Sequence, residues 1–172
     1  MRGTPRSRRS APLRVLPLLV LPLAAACKDG PSAARTYEPV ECGQGTGQSA
    51  AAGVDAAGGT ITVGGHALIL PAQAVTSRTT FTITERAAGH IGVEVEPHGT
   101  TFGRSATLVL SFARCGGLPA GFDDLRVVEV RQGTTEVIRV MPSVVNAETR
   151  TVTTTGLQHL SGYLIGGNRS EE

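Results

Sequence analysis

The sequence predicts an all-β fold: a single antiparallel β-sandwich of about nine short strands. It would occupy residues 58–167, preceded by a signal peptide and a disordered linker. Three observations carry the prediction. Short runs rich in Val, Ile and Thr are separated by Gly, Pro and Asn. Within the runs apolar and polar residues alternate, the period-two pattern of a strand with one buried face. Helical periodicity is missing, the only candidate being one turn at residues 71–75.

The strands follow in order. Thr60-Ile61-Thr62-Val63 closes on Gly64-Gly65, and residues 67–70 stop at Pro71, which cannot donate to a ladder. Over residues 79–85, Phe81 and Ile83 share one face while Thr80, Thr82 and Thr84 share the other. Ile91, Val93 and Val95 alternate with Glu94 and Glu96, and Ala106, Leu108, Leu110 and Phe112 share a face. Residues 125–131 and 135–140 flank Gln132-Gly133, the signature of a hairpin. Val144-Val145 and residues 150–154 flank a second turn at 146–149, and Tyr163-Leu164-Ile165 closes the set. Residues 168–172 form a polar tail.

Residues 1–26 read as an address. Arg2, Arg6, Arg8, Arg9 and Arg14 make a basic start, residues 15–23 an apolar run, and Ala24-Ala25-Ala26 a small-residue site before Cys27. These are the zones of a secretory signal. The run is shorter than the ~20 apolar residues of a membrane span, and Pro17 and Pro22 interrupt it. Small residues ending directly in Cys resemble the bacterial lipobox, with Leu23 one place earlier than usual. That resemblance implies acylation of Cys27, a bilayer as partner, and an extracytoplasmic location in the cell envelope. Lys28 after the anchor favours an outer membrane if one is present. The other reading is ordinary cleavage and a soluble secreted protein. Arg8-Arg9 lacks the hydrophobic continuation of a twin-arginine signal.

Residues 27–57 are rich in Ala, Gly, Ser, Gln and Pro and read as a flexible linker. Cys42 and Cys115 are the cysteines left once Cys27 is set aside. In an oxidising compartment they read as a disulfide, the other reading being two free thiols. Neither has a Cys or His neighbour at zinc-ligand spacing.

Charge excludes one class of partner. Five of the 16 basic residues and none of the 14 acidic ones precede Cys27, so the chain from Cys27 onward carries −3 instead of +2. Nucleic-acid binding needs a basic stripe, and the acidic balance from Cys27 onward argues against one. With no Trp and two Tyr, it is also poorly equipped to stack on sugars.

Three ordered patches resemble the ZU-five domain, the β-sandwich shared by zonula occludens proteins, ankyrins and netrin receptors. Gly58-Gly59-Thr60 with Leu70-Pro71-Ala72-Gln73-Ala74 is similar to the family's opening strand and its I-P-x-G-A turn, with Gln73 where Gly is usual. Pro97-His98-Gly99-Thr100-Thr101-Phe102 is similar to P-x-G-x-x-F, and His159-Leu160-Ser161-Gly162-Tyr163 to the H-F-S-x-Y of bacterial members. Ser105 and Met141-Pro142 depart from the family's Pro and Trp-Pro. The resemblance covers most of residues 58–167 and implies a non-catalytic scaffold for protein contacts, here meeting an envelope or surface protein.

His159-Leu160-Ser161 also resembles the self-cleaving triplet of ZU-five modules followed by a UPA domain and of the adhesion-receptor GAIN domain. There Ser161 would attack the Leu160 carbonyl with His159 as base; the alternative is a hydrogen-bonded turn. Glu94 and Glu96, two apart on one strand face, read as a solvated surface and not as a glycosidase pair. His66, His90 and His98 are scattered without metal spacing, and Asp123-Asp124 marks the start of the 125 strand. The sequence therefore leads to a membrane-tethered interaction module without cofactor or metal. Self-cleavage between Leu160 and Ser161 is one alternative. A carbohydrate-binding accessory domain is the other, using Tyr37, Tyr163 and the Phe rings.

Overall fold

The structure, a computed structural model, describes residues 36–122 and 124–169. By its contacts the chain divides into Met1–Ala33 and Ala34–Glu172, and the described fold lies in the second unit. Among the described residues twelve strands run in order: β1 Tyr37–Pro39, β2 Ser49–Val54, β3 Gly59–Val63, β4 His66–Leu70, β5 Thr79–Glu85, β6 Gly92–Glu96, β7 Thr101–Ser111, β8 Asp124–Val130, β9 Val137–Val140, β10 Val144–Asn146, β11 Thr151–His159 and β12 Gly162–Asn168. They form two antiparallel sheets packed as a sandwich. One has the order β2-β5-β6-β12-β8-β9, with β1 also on β12, and the other β10-β11-β7-β4-β3.

Two strands lie where a linker was expected. β1 pairs Tyr37, Glu38 and Pro39 with Asn168, Gly167 and Gly166 of β12. β2 pairs with the whole of β5, Ser49 to Thr84 through Val54 to Thr79. The linker boundary at residue 57 is thus corrected: the fold begins at β1. Ala50, Ala52 and Val54 alternate inward, and Val40 is fully buried. Alanine carries too little hydrophobicity to make that alternation stand out in sequence, yet a small side chain fits an edge strand of this sheet.

The 71–75 segment is corrected too. It is a turn in which the Ala74 N–H donates to the Pro71 carbonyl at 3.1 Å. Gln73 sits at φ 64°, a left-handed conformation that no right-handed helix can continue. Among the described residues the one helical turn is 3₁₀, Ala113–Cys115.

The alternations read from sequence set the core. Phe81 and Ile83, Ile91, Val93 and Val95, and Ala106, Leu108, Leu110 and Phe112 are all fully buried between the sheets. Each large apolar side chain withdrawn from water this way contributes roughly 2 kcal/mol. β12 lies at the centre of its sheet, with β8 along one side and β6 then β1 along the other. It is buried from Gly162 to Gly167. The chain crosses between sheets at Met141, Pro142 and Ser143: the Met141 N–H donates to the Val127 carbonyl, and Ser143 Oγ accepts from the Val127 N–H at 2.9 Å. This places the short strands β9 and β10 at the edges of the two sheets.

Candidate functional site

The three sequence patches meet at one end of the sandwich. Gly58 lies at φ 81°, and a Cβ there would come within 2.5 Å of the Leu70 carbonyl oxygen, so the first turn requires glycine. The Gln73 N–H donates to the Ala56 carbonyl at 2.8 Å, and the Gly103 N–H to the Ala74 carbonyl at 2.9 Å. The first bond ties the Leu70–Ala74 patch to the β2–β3 turn and the second ties it to β7. The Gly99 N–H donates to the Leu160 carbonyl and the Leu160 N–H to the Thr100 carbonyl, both at 3.1 Å. Thr101 faces His159 in the β7–β11 register, while Phe102 packs against Phe81 with ring centroids 6.0 Å apart.

Within this end the 159–161 triplet is held by partners outside itself. His159 Nε2 lies 2.7 Å from Glu129 Oε1, and Arg139 donates to Glu129 Oε2 at 2.8 Å. Ser161 Oγ donates to the Val130 carbonyl at 3.1 Å. The Tyr163 hydroxyl donates to the His159 carbonyl at 2.7 Å; burial, and then the Glu129 carboxylate, push its pKa up. An N-to-O acyl shift needs the serine proton delivered to the imidazole. Here the proton goes to a carbonyl and the imidazole faces a carboxylate. Among the described residues the left-handed non-glycine positions are Gln73 and Arg150, so neither Leu160 nor Ser161 carries that strain. The arrangement can lock a turn ahead of β12.

A second cluster lies around the Cys42–Cys115 disulfide, whose Cα atoms are 5.0 Å apart. The expected pair is therefore brought together in the structure. Beside it the Glu85 carboxylate is buried. It accepts from the Thr46 hydroxyl and amide, and from Arg114 Nη1 at 3.0 Å. Arg114 also donates to the His90 carbonyl at 2.7 Å. His66, on β4, accepts the Ser111 N–H at Nδ1, 3.1 Å, and so presents Nε2 to Glu85 at 3.7 Å. Accepting at Nδ1 requires the neutral imidazole. Burial lowers its pKa, against the opposing pull of Glu85. Burial alone would raise the Glu85 pKa, but the two Thr46 bonds, His66 and Arg114 outweigh it and hold the carboxyl below its usual range. A Cβ at Gly64 would lie 2.5 Å from Glu85 Oε2, so the β3–β4 turn closes directly onto the carboxylate. No sequence spacing points to this cluster, because its members come from separate strands and loops. The one signal is the polar Glu85 in phase with the inward Phe81 and Ile83.

The remaining expected residues are dispersed. Glu96 is exposed, but Glu94 is half-buried and paired with Arg86, which corrects the reading of both as a solvated surface. His90 reaches Glu41 at 3.0 Å and His98 reaches Glu96 at 4.0 Å. Asp124 accepts from the Tyr37 hydroxyl at 2.7 Å and from Arg126 Nε at 2.9 Å. Tyr163, Phe81 and Phe112 are buried, while Tyr37, Phe102 and Phe122 are half-buried. Among the described residues no group of three or more His, Cys, Asp or Glu side chains is arranged to hold a metal ion. Cys27 lies outside the described residues. No protein-family model matches the chain, and no curated protein matches it.

Proposed function

We propose that this chain is a lipid-anchored, extracytoplasmic ZU-five-like module that works by non-catalytic contact with another protein. The carrying observation is the Cys42–Cys115 disulfide inside a chain whose first 27 residues have the zones of an export signal ending in Cys. Disulfides of this kind persist in oxidising compartments. The reading as a contact module draws on the sandwich's edges. Ile138 is 56% exposed, Val140 39% and Val144 72%, all on the edge strands β9 and β10. Edge strands with exposed apolar side chains are natural sites of strand-to-strand recognition. Gln73 takes a left-handed conformation where the family pattern has Gly, which favours the resemblance.

Intact mass of the protein from its native membrane tests the anchoring. The expected result is a chain beginning at an acylated Cys27; an unmodified chain cut elsewhere would refute it. The contact reading is tested with a photo-cross-linker at Val144, and at Thr62 on the opposite edge as control. A discrete protein adduct is expected from Val144 alone. Denaturing gels should give one full-length band that Ser161→Ala leaves unchanged.

A further inference from the structure

We infer that the 116–122 loop, led by Leu118, rests on the lipid surface that holds the Cys27 anchor. The inference depends on that anchoring and adds an orientation to it. Eight residues lie between Cys27 and Thr36, where the described fold begins. Such a segment reaches at most ~30 Å when fully extended. A domain of this size is itself roughly 30–40 Å across. The end of the sandwich that receives the tether is thus confined near the bilayer.

That end is defined by contacts. The Thr36 carbonyl accepts from Asn168 Nδ2 at 3.0 Å, and Tyr37 reaches Asp124. A Cβ at Gly167 would lie 2.2 Å from the Phe122 ring, so Phe122 packs directly against Gly167 near the end of β12. Arg169 stacks over the same ring at 5.4 Å. Leu118 and Pro119 line a cleft of about 310 Å³ together with Phe122, Asp124, Leu125 and Val145. Leu118 is 59% exposed.

Among the described residues, two neighbouring arginines are paired. Arg126 lies 2.9 Å from Asp124, and Arg169 lies 2.8 Å from Glu38. Beside these paired charges, the exposed Leu118 offers apolar surface that lipid can cover at little desolvation cost. The 159–161 turn lies at the other end of the sheet, because β12 begins at Gly162 and finishes at Asn168. The three patches of the family resemblance therefore face away from the membrane.

The chain has no Trp, so Leu118→Trp provides a single fluorescent reporter. Gln132→Trp, in the β8–β9 turn at the far end, is the control. Each chain, from Cys27 onward, is anchored to vesicles of phosphatidylethanolamine and phosphatidylglycerol containing brominated lipid. Its own acyl chains serve where intact mass shows them; a maleimide lipid on the Cys27 thiol serves otherwise. All described elements lie beyond Cys27, and Cys42 and Cys115 are bonded to each other. Leu118→Trp should shift to the blue and lose most of its emission, with Gln132→Trp unaffected. Equal quenching at the two positions, or none at either, would overturn the inference. So would a blue shift that grows with protein concentration without vesicles, which would assign the loop to a second copy. Because the maleimide arm supplies the anchor, an unacylated native protein refutes the anchoring without deciding the loop.

Discussion

Glu85 is the residue on which the cluster beside the Cys42–Cys115 disulfide converges. Its carboxylate gathers Thr46 from the segment after β1, His66 from β4 and Arg114 from the 3₁₀ turn. Removing one partner of a buried charge pair leaves the other uncompensated. Glu85→Ala should therefore cost about 3 kcal/mol in urea unfolding at neutral pH. The same cluster sets an acid limit. His66 has a pKa below its ordinary 6.5 in the folded protein, so on acidification the unfolded chain takes the proton first. Stability is full above that value and falls as pH drops below it toward the folded pKa. Glu85, also lowered, adds a second loss in the same direction below its ordinary 4.5. Unfolding free energy measured across this range should show both steps. His66→Gln should lose the upper step and keep the lower. An unchanged upper step would mean that another histidine is responsible.

At the scale of elements, the strands with β-branched residues were legible and the alanine strand was not. Phe81, Ile83, Leu108 and Leu110 announce their faces because alternation with Thr or Val contrasts in size or polarity, and they are buried as expected. β2 reads Ser-Ala-Ala-Ala-Gly-Val, in which inward and outward residues are nearly identical. Its place is set by pairing with β5, a long-range property that local composition does not carry. The same holds for Glu85: the sequence marks it as in phase with the core, but its partners are 29 to 39 residues away in Arg114 and Thr46. The disulfide was open to inference because cysteines are few and their chemistry narrow. These differences have a direct consequence for truncation. A chain starting at Gly58 loses β1, β2, Cys42 and Thr46, and should fail to give a cooperative thermal transition. A chain starting at Thr36 should melt like the longer one. With both β1 and β2 kept, replacing Cys42 and Cys115 by Ala removes a link across 73 residues, which costs about 4 kcal/mol in the chain-entropy account.

Across the whole molecule the two open edges differ. On one side β2 and β3 expose Ser49, Ala51, Thr60 and Thr62, small or polar residues. On the other, β9 and β10 expose Ile138, Val140 and Val144. Exposed edges invite pairing with another chain, and native sheets usually blunt them with charge, brevity or a bulge. β9 has a register shift opposite Glu129 and Val130, and β10 is three residues long. Uncontrolled extension is thereby limited, while the apolar side chains stay available. A partner binding there would gain from covering them, and the domain alone gains nothing from their exposure. Ile138→Lys combined with Val144→Lys should consequently leave the melting temperature nearly unchanged, since exposed substitutions seldom exceed about 0.5 kcal/mol. The same double variant should abolish the adduct formed by a cross-linker at Val140. Loss of the adduct together with a large fall in melting temperature would instead show that these residues serve the fold. A persisting adduct at full stability would place the contact on another face.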